Sequence, residues 1–203
     1  RAGWQIRAKA GTKRVALELG GNAGVIVEPD ADLDWAAARC ALGGYTYAGQ
    51  SCISTQRIFV QRDVYQAFLD RFVPKVAALV VGDVLDDRTE VGPLISREAA
   101  ERVAGWIAEA VAGGAQVVTG GKRHGQVLEP TVLVSTTPEM KVNCEEVFAP
   151  LVTVTPYTRL DDAVAQINAS PYGLQAGVFK RDGRTLFHLH AQLAAFLQEG
   201  LPC

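Results

Sequence analysis

Three residues of this 203-residue chain are of types, and in settings, that could do chemistry. Cys52 lies in Gly49-Gln50-Ser51-Cys52-Ile53-Ser54, a run of small, turn-forming residues where a helical pattern gives way to a strand pattern. Its flank offers backbone N–H groups able to face a developing oxyanion, and loops between glycine-flanked elements often carry catalytic groups. Free cysteine is also among the most buried residue types, so on these residues alone an inert core thiol stays open. Glu18 sits in the alternating run Lys13 to Leu19, opposite Val15, Leu17 and Leu19 and just before Gly20-Gly21. A carboxylate there is expected to be partly desolvated and placed for general-base work; a solvated surface glutamate is the ordinary alternative. Glu146 belongs to Glu145-Glu146-Val147-Phe148-Ala149-Pro150, a rigid turn that could hold a carboxylate toward ribose hydroxyls or be no more than a loop.

Composition narrows what such residues could serve. With 48% hydrophobic and 21% charged residues the chain reads as a globular, soluble protein. A net charge of −2 and the lack of any Lys/Arg run give no reason to expect a nucleic-acid surface. No apolar run approaches 18 residues, so no membrane span is expected. Cys40, Cys52, Cys144 and Cys203 lie far apart without a C-x-x-C pair, which suggests reduced cytoplasmic thiols and neither a disulfide framework nor a zinc site. No His/Cys/carboxylate set has metal-ligand spacing, so the expected metal content is none. The chain opens on Arg1-Ala2-Gly3-Trp4 without a cap or initiator methionine, and Leu186 to Cys203 is helical with nothing after it; the expectation is a piece of a longer protein.

The elements that must position these residues follow from periodicity. Helices are predicted at 4–10, 35–48 behind Asp34 as N-cap with Asp32 near its positive end, after Asp63, after Ser96, over 160–168 and over 186–203. Pro74 should kink the third of them, and Gly43-Gly44 suggest close packing of the second against another backbone. Strands are predicted at 13–19, 25–27, 57–60, 116–118, 130–134, 147–157 and 176–179. Their alternation predicts a three-layer α/β/α architecture with a mostly parallel sheet. Cys40, Trp35, Trp106 and the other aromatics read as core, Cys144 as a thiol without function, and His124 as part of a solvated Gly-rich turn.

Taken together, Leu17-Glu18-Leu19-Gly20-Gly21, Gly49-Gln50-x-Cys52 and Glu146-x-Phe148-x-Pro150 resemble the signature motifs of the NAD(P)-dependent aldehyde dehydrogenase superfamily. The 34-residue spacing from Glu18 to Cys52 is similar to that family's, as are Gly92-Pro93-Leu94-Ile95, Pro130-Thr131-Val132 and Asn168 through Tyr172-Gly173-Leu174. The likeness runs from about Lys13 to about Asp182. It implies oxidation of an aldehyde to a carboxylate with NAD or NADP as cofactor, in a homo-oligomeric parent protein. Cys52 would be the nucleophile, passing through a thiohemiacetal and a thioester, with its own N–H in the oxyanion hole. Glu18 would activate the hydrolytic water, Glu146 would bind the nicotinamide ribose beside Phe148, and Gly20 and Gly21 would let backbone and cofactor approach. The residue after the glycine pair, often Lys in the family, is Asn22.

By the same resemblance, residues 1–20 would be the last helix and strand of a dinucleotide-binding domain whose remainder, with most of the cofactor site and the Asn that completes the oxyanion hole, is not in this sequence. Residues 21–203 would form the catalytic, thiol-bearing domain, with an atypical tail after residue 182 and without the family's C-terminal oligomerisation strand. Such a chain alone is expected to bind NAD weakly or not at all. Three alternatives stand beside this reading: CoA-dependent acylation, against which Glu18 argues; a non-catalytic truncated module; and a Cys–His hydrolase, which needs His124 near Cys52.

Overall fold

The structure, a computed structural model, describes residues 2–193; Cys203 and the predicted helix beyond 193 lie outside the described residues. Its centre is a six-stranded sheet of β1 (Ala23–Val27), β2 (Thr55–Gln61), β3 (Gln116–Thr119), β6 (Thr131–Val134), β7 (Leu151–Tyr157) and β8 (Ala176–Phe179), in the order β3-β6-β7-β2-β1-β8. All pairings are parallel except β3 with β6. A small hairpin, β4 (Arg123–His124) and β5 (Val127–Leu128), stands apart.

The sheet is covered on both faces, which is why its inner strands read as unbroken apolar runs. Val25, Val27, Ile58, Val60, Val152 and Val154 point to one core, shared with α2 (Leu33–Tyr45), α3 (Tyr65–Ala77) and α4 (Arg97–Ala112). The alternate residues Ile26, Phe59 and Tyr157 point to the other, against α6 (Leu160–Asn168) and α7 (Gly183–Gln192). The three-layer α/β/α expectation is met. Helix α2 sits close because Gly43 and Gly44 carry no side chain: a Cβ on Gly44 would stand 2.6 Å from Val152 Cγ2 and 3.2 Å from the Thr55 carbonyl oxygen.

Several expectations are corrected. Residues 14–20 form no strand; they run as irregular chain up to an isolated bridge between Gly21 and Gly173. The alternation of half-buried Val15 and Leu17 is present, but no described strand lies beside it to complete a ladder, and α1 (Ala2–Lys9) buries no residue. The N-cap of α2 is Asp32, whose carboxylate accepts from Trp35 N at 3.0 Å, while Asp34 in the first turn pairs with Arg71 at 3.3 Å. Asp63 does not cap α3: it lies in a 3-10 turn, Arg62–Val64, where the Gln61 side chain takes its N–H. Helix α3 continues through Pro74 to Ala77. Strand β7 begins only at Leu151, because 147–150 are needed as a turn. Trp35 is 60% exposed, Tyr47 79% and Phe187 82%, so none of the three is core; the buried stripe of α4 is Ala100, Val103, Ile107 and Ala110. The remaining short helix, α5 (Lys141–Cys144), leads into the Glu146 turn.

The carboxyl ends of β1, β7 and β8 are tied together. The Tyr157 hydroxyl and Lys180 Nζ both donate to the buried Glu28 carboxylate, the latter at 2.9 Å, and Lys180 also reaches Asp30 at 3.5 Å. Burial first, then Glu28, pushes the Tyr157 hydroxyl far above its ordinary range, so it stays a donor.

The capping assignment is testable: Asp32→Ala should lower the unfolding free energy by about 1 kcal/mol in a urea titration. Asp34→Ala should cost less than about 0.5 kcal/mol, as an exposed ion pair does. The reverse ranking would return the cap to Asp34.

Candidate active site

The sequence motifs meet at one edge of the sheet. Gly21 leads into β1, Ser51–Ser54 into β2 and Glu146–Pro150 into β7, and these three strands are neighbours in the order β7-β2-β1. Adjacent strands are only about 4.8 Å apart, so the chain segments entering them must touch. The site therefore lies at the amino ends of the parallel strands, opposite to the carboxyl-end crevice usual for open α/β sheets.

Gly21 is the point of contact. Its N–H donates to Glu146 Oε1 at 2.8 Å. A Cβ there would fall 1.9 Å from the Cys52 carbonyl oxygen, and one on Gly20 would fall 2.6 Å from Glu146 Oε2. The glycine pair was expected to admit a cofactor; what it admits within this chain is the Cys52 main chain and the Glu146 carboxylate. The thiol loop and the Glu146 loop also interlock directly. Gly49 has φ +67°, and a Cβ on it would stand 2.1 Å from the Ala149 carbonyl oxygen.

Both loops use left-handed backbone to achieve this. Tyr47 and Ala48 have φ 54° and Phe148 has φ 52°, a conformation that costs a non-glycine residue roughly 1–2 kcal/mol. Such strain is characteristically kept where the surroundings fix a functional geometry. Here Gln50 supplies part of the fixing: its N–H donates to the Tyr47 carbonyl at 3.1 Å, and its Oε1 accepts from Ile95 N at 2.8 Å. That bond brings in the Gly92–Ile95 stretch. Thr131 N donates to the Pro150 carbonyl at 2.9 Å, and Tyr172 donates to Glu145 at 3.2 Å, so the other two motif stretches converge as well.

Cys52 is a free, half-buried thiol in the turn before β2. Two openings flank its loop, and Ser51 and Ser54 line both. A narrow cleft of about 10 Å³ lies toward Gly21, Gly49, Glu146 and Phe148. A wider cavity of about 420 Å³ lies between α2 and β8, walled by Leu42, Thr46, Tyr47, Ile53 and Phe179. Cys40, on the helix wall of that cavity, is core as expected; burial pushes its thiol up to about 12. Cys144 is exposed and donates weakly to the Glu139 carbonyl at 3.4 Å. His124 is exposed in β4 and its ring faces Glu129 at 3.2 Å.

Glu18 departs from expectation: in this chain it is exposed, while its neighbours Leu17 and Leu19 lie against Gly3 of α1. Glu146 is half-buried and Phe148 40% exposed, so the carboxylate is held while the ring is presented outward. Sequence reasoning missed the polar pair Gln56-Arg57 beneath the loops; a Gln-Arg step opening an otherwise apolar strand was the available signal. Arg57, 7% exposed, donates to the carbonyls of Gln166 at 2.9 Å and Asn22 at 3.1 Å. Burial lowers it to about 10, which leaves it cationic at neutral pH. Among the described residues no group of three or more His, Cys, Asp or Glu could hold a metal ion, and no helix is long and apolar enough to cross a membrane.

Fold and site together define a mostly parallel α/β domain that presents one thiol, a glycine pair and a clamped carboxylate at the amino edge of its sheet. The sequence profile of the aldehyde dehydrogenase family matches residues 1–197, and the chain belongs to that family. A 3-sulfolactaldehyde dehydrogenase from Priestia aryabhattai is 45% identical over 182 residues, 90% of this chain and 38% of that protein. A betaine aldehyde dehydrogenase from Cereibacter sphaeroides is 39% identical over 191 residues, 93% of this chain and 40% of that protein. Among solved structures, a glyceraldehyde-3-phosphate dehydrogenase from Methanocaldococcus jannaschii complexed with NADP superposes with a TM-score of 0.90 at 36% identity, covering 95% of this chain and 42% of that one. The chain thus spans about two fifths of the length of the relatives it matches.

The interlock of the two loops can be tested by Gly49→Ala, which is expected to cost roughly 2 kcal/mol or more through the clash with Ala149 and the left-handed backbone. A urea titration showing parent-like stability would mean that the loops do not touch as described.

Proposed function

We propose that this chain carries the thiol-bearing segment of an NAD(P)-dependent aldehyde dehydrogenase that oxidises an aldehyde to a carboxylate. The observation that supports it best is the convergence on Gly21 of the Cys52 main chain and the Glu146 carboxylate. The Cys52 thiolate attacks the aldehyde carbon, forming a C–S bond, and the carbonyl electron pair moves to oxygen, where the Cys52 N–H can receive it. The cavity of about 420 Å³ beside Ser51 and Ile53 is of ligand-pocket size and is the approach for the aldehyde.

The residues on the opposite flank fit the nicotinamide end of a dinucleotide. Glu146 has one oxygen on Gly21 N–H and another facing Gly20, where no side chain intervenes, so it can accept from ribose hydroxyls. Phe148 offers an exposed ring beside it. The chemistry that a bound oxidised nicotinamide would supply is acceptance of the hydride from the carbon bonded to Cys52 Sγ, whose C–H bond breaks as the C=O re-forms, which leaves a thioester on the thiol. Glu18, open to water, then takes a proton as water attacks the Cys52 thioester; the C–S bond breaks, the thiolate leaves, and the product departs as carboxylate.

Residues 1–20 belong in this reading to the dinucleotide-binding part of the family's chain, which agrees with the unburied α1 and the exposed Leu19. The free thiols of Cys40, Cys52 and Cys144 suit a reducing, cytoplasmic setting.

In the full-length protein, Cys52→Ala is expected to lower NAD(P)-dependent aldehyde oxidation by at least about 1,000-fold. Glu18→Gln should keep a single-turnover burst of reduced cofactor while steady-state turnover falls about 100-fold or more. Normal turnover by Cys52→Ala would sink the proposal, and product that forms only when CoA is added would replace it with acyl transfer to CoA.

A further inference from the structure

One side chain grips the loop of Glu146 and is left unused by the chemistry above. Gln56, the second residue of β2 and four beyond Cys52, is 5% exposed. Its Nε2 donates to the Glu145 carbonyl at 2.7 Å and to the Val142 carbonyl at 3.1 Å, and its Oε1 accepts from Val147 N at 3.0 Å. Both donor sites and the acceptor of this carboxamide are thus spent on main chain, on either side of Glu146. The neighbouring bonds extend the same grip. Thr153 Oγ1 donates to Asn143 Oδ1 at 2.8 Å, Asn143 Nδ2 donates to the Thr137 carbonyl at 2.7 Å, and Asn22 Nδ2 donates to the Asn143 carbonyl at 2.6 Å. Asn22 directly follows Gly21, so the segment that receives the Glu146 carboxylate is pinned to the same loop.

We propose that Gln56 is a positioning residue for Glu146. It fixes the main chain at 145 and 147 to the strand that follows the thiol, and so sets where the 146 carboxylate stands relative to Gly21. The proposal rests on the reading of Glu146 as the cofactor-binding carboxylate. A buried carboxamide with all its bonds made is rigid, whereas its loss orphans the main-chain groups on both sides of Glu146 and the Val142 carbonyl. The thiol loop touches the Glu146 loop at Gly49 and Ala149, but none of the Gln56 bonds goes to it and it has anchors of its own: Gln50 fixes it on Ile95, and Ser54 Oγ donates to the Gly43 carbonyl at 3.2 Å. Gln56 therefore acts on cofactor binding and leaves the environment of Cys52 in place.

The test is a double-mutant cycle in the full-length protein with Gln56→Met, which keeps the volume and removes the bonds, and Glu146→Gln. Gln56→Met is expected to raise the KM for NAD(P) about 10-fold, with the rate of Cys52 alkylation by iodoacetamide in the absence of cofactor held within about twofold. Because both residues act through one carboxylate, the double variant should be no worse in KM than Glu146→Gln alone. Gln56→Glu, which keeps only the acceptor for Val147, should also raise KM, and it carries the test if Gln56→Met does not fold. An unchanged KM in the Gln56 variants, even with a lowered Tm, overturns the proposal, as do effects that multiply in the double variant or a KM rise matched by a changed alkylation rate. If Glu146→Gln itself leaves the KM for cofactor unchanged, the reading of Glu146 falls, which is a different result from a silent Gln56 beside a sensitive Glu146.

Discussion

The peptide unit at Gly21 sets the terms for the site, because three demands meet on it. Its N–H is committed to Glu146, the space of its absent side chain is filled by the Cys52 carbonyl, and its neighbour Gly20 makes room for the other oxygen of the same carboxylate. Close contact of this kind is possible only where the segments are delivered by adjacent strands. The order β7-β2-β1 provides that delivery. Everything else in the chain can be understood as holding those three strands in order: two apolar layers clamp the sheet from both faces, and helix α2 rides low on it over Gly43 and Gly44.

The two ends of the sheet are used differently. At the carboxyl end, Glu28, Tyr157 and Lys180 spend their polar groups on one another and join β1, β7 and β8. At the amino end the chain accepts left-handed backbone at Tyr47, Ala48 and Phe148. A structure can keep such conformations where the surroundings over-determine them, and here the surroundings are the interlocked Gly49 and Ala149 together with the bonds of Gln50.

Much of this was legible in the residues. The helix at 160–168 and the strand at 176–179 occur where periodicity placed them, and Ser96 caps α4, accepting from Ala99 N at 3.1 Å. Cys52, Gly21 and Glu146 were readable as a set only through the order and spacing of their motifs. Single-residue chemistry left each of them open. What could not be read was long-range. The alternation of residues 13–19 reports a strand-like face, but a strand exists only with a partner, and none is described beside it. Glu18, on the same run, was expected to be partly desolvated and is exposed. Asp32 and Asp34 are equivalent as capping chemistry; the carboxylate that reaches the N–H three residues on is fixed by where the first helical turn begins. The contact of Gly49 with Ala149 joins residues 100 apart in sequence, and nothing local to either signals it.

Placing the site at the amino edge has an electrostatic consequence. In a parallel β/α sheet the helices run opposite to the strands, so at this edge they end with their carbonyl groups. Helix α2 finishes at Tyr45, just ahead of the thiol loop, and α6 offers the carbonyls of Gln166 and Ile167, on which the buried Arg57 guanidinium sits. The poles gathered here are the negative ones, each equivalent to roughly half an elementary charge. Arg57 shows what such a field selects: a delocalised cation held in the interior without a carboxylate partner among the described residues.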